Sequence, residues 1–136
     1  MIVKFANEKE INYLFAEEKE EYYNGNNRRT LTFEVDPAEI GLAELNEVLN
    51  NAENIKTIEL TSDPLPQYDE AGNITGYATE KAIHDGYVLK LNVGIENKKV
   101  AEETPDAPAE YAERIYFKIG RRTYIEEQLA ALGVKI

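Results

Sequence analysis

Alternating apolar and polar residues predict the main β-strands of this chain. The alternation is clear at residues 29–35 and 114–120, and it extends furthest at residues 87–95. Since successive side chains of a strand point to opposite faces, each segment has one face suited to a core. We expect residues 87–95 to be a central strand with one buried face. The residues on these inward faces are Leu31, Phe33, Val35, Tyr87, Leu89, Leu91, Val93, Ile95, Ile115, Phe117 and Ile119.

Helical spacing of apolar residues predicts two helices, at residues 37–50 and 124–132. Asp36 is a good N-cap for the first helix, whose first residue would be a proline. Thr123 and Glu126 have the spacing of a capping box at the start of the second helix. Both helices are therefore expected to pack on the sheet. The faces predicted to be buried consist of Leu42, Leu45, Val48 and Leu49 in the first helix and Ile125, Leu129 and Leu132 in the second.

Shorter signals complete the predicted organisation. Apolar runs at residues 2–5, 11–15 and 55–61 predict three further strands, and residues 68–80 resemble a hairpin tip. Residues 96–110 are rich in proline, alanine and charge, which predicts a long loop that is either mobile or ordered by a partner. Gly94 marks a bulge or a close approach of another group to the backbone.

The length of 136 residues favours one domain over residues 1–136. The predicted strands together with the two helices indicate an α+β fold, in which a mostly antiparallel sheet forms a β-sandwich or open barrel with the two helices.

The charge distribution narrows the range of partners. The net charge is −11, and such an acidic surface repels nucleic-acid phosphates and anionic lipid heads. No apolar run approaches the ~20 residues of a membrane span, and the first residues lack the apolar core of a signal peptide. We therefore expect synthesis in the cytoplasm, with no nucleic-acid and no membrane partner.

Candidate catalytic chemistry is sparse. The chain has no cysteine, one histidine, His84, and one serine, Ser62, and no motif places a nucleophile beside a base. No glycine-rich phosphate loop occurs. The acidic residues do not single out a glycosidase pair, which only their separation in space would identify. The sequence therefore predicts a protein that is not an enzyme and has no catalytic residue, cofactor or metal.

Tyrosine is the most unusual feature of the composition, with nine tyrosines and no tryptophan. Tyrosine is enriched at protein interfaces, although it is also common at the edges of sheets. The C-terminal part of the chain combines tyrosines with basic residues on an otherwise acidic protein. The predicted interface there consists of Tyr111, Tyr116, Arg121, Arg122 and Tyr124, together with the loop at 96–110.

Several short motifs carry a family resemblance that spans nearly the whole chain. They are Arg28-Arg29-Thr30-Leu31-Thr32-Phe33, Ala43-Glu44-Leu45-Asn46, Asp85-Gly86-Tyr87-Val88-Leu89, Glu103-Thr104-Pro105 and Arg121-Arg122-Thr123-Tyr124-Ile125-Glu126. Together they resemble small proteins of unassigned role from the tail and virion-assembly regions of phages and prophages of Firmicutes. The resemblance implies a structural part of a tail or baseplate and supplies no catalytic residue.

Two functional hypotheses follow. In the first, the protein is a phage structural component that binds copies of itself or neighbouring virion proteins, and its final location is the virion. In the second, it is an acidic interaction protein, such as a DNA mimic that occupies a host enzyme. The second hypothesis requires carboxylates spaced like phosphates along one face, whereas the acidic residues here are spread over three segments and mixed with lysine.

Overall fold

The computed structural model describes residues 1–133, which form strands for most of their length. The three helices are α1 (Leu42–Asn50), α2 (Ala52–Ile55) and α3 (Tyr124–Ala131). The strands are β1 (Ile2–Lys4), β2 (Glu10–Asn12), β3 (Phe15–Tyr23), β4 (Asn26–Val35), β5 (Thr57–Thr61), β6 (Leu65–Tyr68), β7 (Ile74–Ala78), β8 (Lys81–Asp85), β9 (Leu89–Ala101) and β10 (Glu110–Gly120).

Two four-stranded antiparallel sheets make up the body. The first sheet has the order β2-β1-β5-β8 and the second sheet has the order β3-β4-β10-β9, while β6 and β7 form a separate two-stranded sheet. Phe5, which follows β1, meets Phe117 of the second sheet with ring centroids 6.2 Å apart. Phe117 stacks in turn on Phe33 at 4.7 Å. The predicted α+β, mostly antiparallel fold is confirmed, and the sheets form an open arrangement that is not closed into a barrel.

The core confirms the alternation predicted for two strands. The inward residues of β4 and of the C-terminal half of β10 are buried, and α1 adds Leu45, Val48 and Leu49. Burying each such side chain contributes about 1.5–3 kcal/mol. The buried apolar residues that the periodicity did not single out for the core are Ile11, Tyr13, Ile40 and Ile55.

The first helix is shorter than predicted, because α1 begins at Leu42 rather than at residue 37. The Asp36 carboxylate caps an isolated turn instead, accepting a hydrogen bond from the Ala38 backbone N–H at 2.9 Å. Gly41 is extended (φ −74°, ψ 148°) and provides the N-cap of α1. The cap signal at Asp36 is therefore satisfied by one turn, and buried Ile40 separates that turn from the helix.

The prediction for residues 87–110 is wrong in two respects. The strand β9 lies at the edge of the second sheet, not at its centre, and it continues through residues that were predicted to be a loop. Only residues 102–109 lie between β9 and β10. The edge position leaves Leu89, Leu91 and Val93 partly buried and Ile95 exposed.

The close approach predicted at Gly94 is confirmed. A Cβ atom at this position would lie 2.7 Å from the Tyr116 hydroxyl oxygen, because the tyrosine side chain crosses over the glycine. A larger residue at position 94 would force the Tyr116 side chain to move.

The C-terminal helix has its predicted capping box but not its predicted buried face. The Thr123 hydroxyl accepts the Glu126 backbone N–H, and the Glu126 carboxylate accepts the Thr123 backbone N–H. Ile125 and Leu132 are 70% and 79% exposed, and Leu129 is also exposed. Glu126 is the buried residue of the helix, so α3 is attached through a charged residue rather than through its apolar stripe.

Candidate interaction surfaces

A two-stranded arm extends the second sheet at one end. The strand β4 pairs with β10 at residues 115–120. The remainder of β10, Glu110–Arg114, pairs with β9 alone, at residues 96–101. We call residues 96–114 the arm. Its strands extend about 20 Å beyond the pairing with β4, at about 3.3 Å per residue.

The arm is exposed on both faces, although it carries apolar side chains. Residues 95–100 are all exposed, and Tyr111 is 57% exposed. At the tip, Thr104 and Ala107 exchange backbone hydrogen bonds of 2.8 and 3.2 Å, which orders the turn. An isolated two-stranded hairpin is at best marginally stable in water, so such an arm gains stability when a partner covers it.

The β6–β7 hairpin also presents an apolar face to solvent. Pro66 lies opposite Tyr77, and Tyr68 lies opposite Ile74. Tyr68, Ile74 and Tyr77 are all more than half exposed. The predicted turn between the strands is confirmed, since the Asp69 carboxylate accepts the backbone N–H groups of Ala71 and Asn73 at 2.9 Å.

The five residues of the predicted interface lie in different settings. Tyr111 is on the arm and Tyr124, 78% exposed, begins α3, so they lie at opposite ends of β10, about 30 Å apart. Tyr116 crosses Gly94 within the sheet. The Arg121 guanidinium lies 5.1 Å from the Tyr87 ring centroid.

Arg122 is partly buried, and its Nε is one of the two buried side-chain atoms without a hydrogen-bond partner in residues 1–133. The structure therefore brings Arg121, Arg122 and Tyr124 together near the start of α3. It places Tyr111 and Tyr116 elsewhere.

A buried ion pair attaches α3 to the second sheet. The Arg28 guanidinium donates to both carboxylate oxygens of Glu126, at 2.6 and 3.1 Å. It also donates to the backbone carbonyls of Tyr23 and Arg121, each at 2.9 Å. The hydrogen bonds from Arg28 to the Glu126 carboxylate lower the pKa of Glu126. With Arg28 fully enclosed, the geometry satisfies a charge that would otherwise be costly to bury.

A second polar cluster joins the two sheets at Glu18. Its carboxylate accepts hydrogen bonds from the Tyr87 hydroxyl at 2.5 Å and from Arg29 at 2.8 Å, and it lies 3.0 Å from His84 Nδ1. The bond from Tyr87, opposed by burial and assisted by Arg29, lowers the pKa of Glu18 to about 2. Burial and the neighbouring carboxylate raise the pKa of Tyr87. The ionised carboxylate thus ties β3 to β8.

Sequence reasoning missed both clusters. His84 lies in β8, two residues before Gly86, whose φ is positive at 84°. Glu18 is 66 and 69 residues from His84 and Tyr87, and Arg28 is 98 residues from Glu126, so no local motif reveals these contacts. Glu18 and Arg28 lie outside the strands that the sequence pattern predicted, so neither was recognised as a charged residue whose burial demands a partner.

The structure does not pair Ser62 with His84. The Ser62 hydroxyl donates to the Asp63 carbonyl and accepts the Glu80 backbone N–H. Within residues 1–133, no group of three or more acidic or histidine side chains could hold a metal ion. No helix in that part of the chain is long and apolar enough to cross a membrane.

Comparisons with known proteins give no information on function. No family model, curated protein or solved structure matches the chain. The arm, the β6–β7 hairpin and the surface at the start of α3 all expose side chains that another molecule could contact.

Proposed function

We propose that this protein is a non-enzymatic structural component of a phage tail or baseplate that acts by binding neighbouring proteins. The observation that carries the proposal is the arm. It exposes Val100 and Tyr111 on strands that have no third strand beside them among the described residues, and Ile95, immediately before the arm, is also exposed. Exposed apolar groups on an ordered projection are suited to protein contact.

The polar clusters also support a structural role. Both Glu18 oxygens are engaged, and Glu126 is enclosed by Arg28. These carboxylates bind groups of the same chain, so their role is to hold the sheets and α3 in place. Further glutamates form ion pairs, including Glu21 with Lys118 and Glu34 with Lys98. This pairing reduces the number of free carboxylates for a DNA mimic.

The proposal is tested in the phage that carries the gene. Mass spectrometry of purified particles should detect the protein in fixed proportion to the other tail proteins. A variant in which Asn-Gly replaces residues 98–112 joins the paired residues Asn97 and Glu113 by a two-residue turn. That variant should fold and be lost from particles.

A matched control is Tyr124→Ala, which changes an exposed tyrosine at the other end of β10. We expect this variant to be incorporated normally. Absence of the unmodified protein from particles would contradict the structural role. Normal incorporation of the arm-truncated variant would show that binding uses another surface.

A further inference from the structure

Two strand edges of the second sheet are available for pairing. In the part of the chain that the structure describes, β3 pairs with β4 alone and β9 pairs with β10 alone. The sheet has four antiparallel strands, so its two edge strands run in opposite directions. A second copy in the same orientation can therefore place its β3 antiparallel to β9 of the first, and the sheet continues from one copy to the next.

The two edges carry opposite charge. The strand β3 contains four glutamates and one lysine, a net charge of −3, whereas β9 contains three lysines and one glutamate, a net charge of +2. Charges on edge strands discourage pairing between like edges. Here they disfavour β3 with β3 and β9 with β9, and they favour pairing of β3 with β9.

One register matches the charges individually. On the outer face of the second sheet, which carries Thr32 and Lys118, β3 presents Glu17, Lys19 and Glu21, and β9 presents Glu96 and Lys98. Glu21 and Lys98 also contact Lys118 and Glu34 of their own chain, whereas Glu17 lies at the free edge. When Lys98 lies opposite Glu17, Glu96 lies opposite Lys19. A shift of two residues in one direction places Glu96 opposite Glu17, and a shift in the other direction places Lys98 opposite Lys19. Like charges directly opposite are unfavourable. A shift of four residues places Lys98 opposite Glu21 and forms one pair of opposite charges instead of two, so the matched register is preferred.

We propose that copies of this protein associate head to tail through β3 and β9 in this register. The inference rests on the proposed structural function and identifies a partner as a second copy. Within the sheet of one copy, the strand pairings place Phe15 level with Gly94. The matched register therefore shifts the second copy along the strand direction by six residues, about 20 Å, relative to that level. The arm thereby lies along β3 of the neighbour, and the repeated contact closes into a ring or continues as a filament.

Disulfide trapping tests the register, because the chain has no cysteine of its own. In the matched register Ile95 lies opposite Glu20, and both residues are exposed. Opposite residues have Cα atoms about 4.5–5.5 Å apart, within the range that a disulfide spans. The double variant Glu20→Cys with Ile95→Cys should give a ladder of disulfide-linked multimers under mild oxidation. Within one chain these strands are about 14 Å apart, so an internal bond cannot form.

The matched control is Glu20→Cys with Lys99→Cys, which requires a register shifted by four residues, about 13 Å. We expect no ladder from it. Lys98→Glu added to the Glu20/Ile95 pair should reduce the ladder several-fold, and adding Glu17→Lys should restore it. Circular dichroism checks that each variant is folded.

Monomers only from the folded Glu20/Ile95 variant, or equal ladders from both cysteine pairs, would overturn the proposed register and pairing. Because trapping uses the isolated protein, its outcome is separate from the test of the structural role. A protein that is present in particles but gives no ladder keeps its structural role without head-to-tail pairing. A ladder from a protein that is absent from particles contradicts the structural role alone.

Discussion

The two halves of β10 belong to one strand but have different environments. Residues 115–120 lie between β4 and β9, and Ile115, Phe117 and Ile119 are buried there. Residues 110–114 pair with β9 alone and lie in the arm. Residues 115–120 contribute to stability because their apolar side chains are buried. Residues 110–114 bury little surface within their own chain, and the proposed function assigns them to contact with another protein.

The largest expected effect is in the buried half of β10. Phe117 stacks on Phe33 and approaches Phe5, so Phe117→Ala leaves a cavity between the sheets. We expect it to lower the free energy of unfolding by about 3–5 kcal/mol. Denaturant unfolding measures the loss, and Tyr111→Ala in the arm is the control, with an expected change within about 0.5 kcal/mol. Equal losses at both positions would remove the distinction between the halves.

A smaller effect on stability is expected at the buried ion pair between Arg28 and Glu126. Glu126→Gln leaves Arg28 without its buried counter-charge, and we expect a loss of about 1.5–3 kcal/mol in unfolding free energy. The comparison is Leu129→Ala on the same helix, where the exposed side chain predicts a change within about 0.5 kcal/mol. A larger loss at Leu129 than at Glu126 would show that the apolar stripe attaches α3.

Acid should weaken the contact between the sheets at Glu18. The folded pKa of about 2 is lower than the ordinary value of 4.5, so this contribution is complete above pH 4.5 and is lost as the pH falls towards 2. Glu18→Gln should cost about 1 kcal/mol at neutral pH, because the site is partly exposed, and it should flatten the decline of stability in that window. Unfolding curves of the parent and of Glu18→Gln between pH 2 and 6 measure the decline of stability with pH, and Glu17→Gln is the control. Parallel declines in the parent and in Glu18→Gln would contradict the role assigned to Glu18.

The same comparison explains what could be predicted from the sequence. Periodicity reports burial, so it located β4, the inner half of β10 and the apolar face of α1. It predicted a loop at 96–110, because strands exposed on both faces show no alternation to detect. It misplaced the contact face of α3, because Ile125, Leu129 and Leu132 have helical spacing whether or not anything covers them.

The interaction surfaces were only partly predictable for a related reason. Tyrosine content pointed to Tyr111 and Tyr124, which are exposed, and equally to Tyr116, which lies against Gly94. Composition cannot distinguish an exposed tyrosine from one that packs within the sheet, because exposure depends on which residues lie beside it in the fold. The pairing of β9 with β10 places Tyr116 against Gly94, and that pairing depends on residues that are distant in the chain.

Hydrogen exchange along β10 tests most directly the claim that the arm is a binding element and not part of the stable body. In the isolated protein, backbone amides at 115–119 should exchange slowly, and those at 110–114 should exchange close to the rate of local opening. In assembled particles, both halves should be protected. Equal protection of the two halves in the isolated protein, or an arm that still exchanges rapidly in particles, would contradict the account.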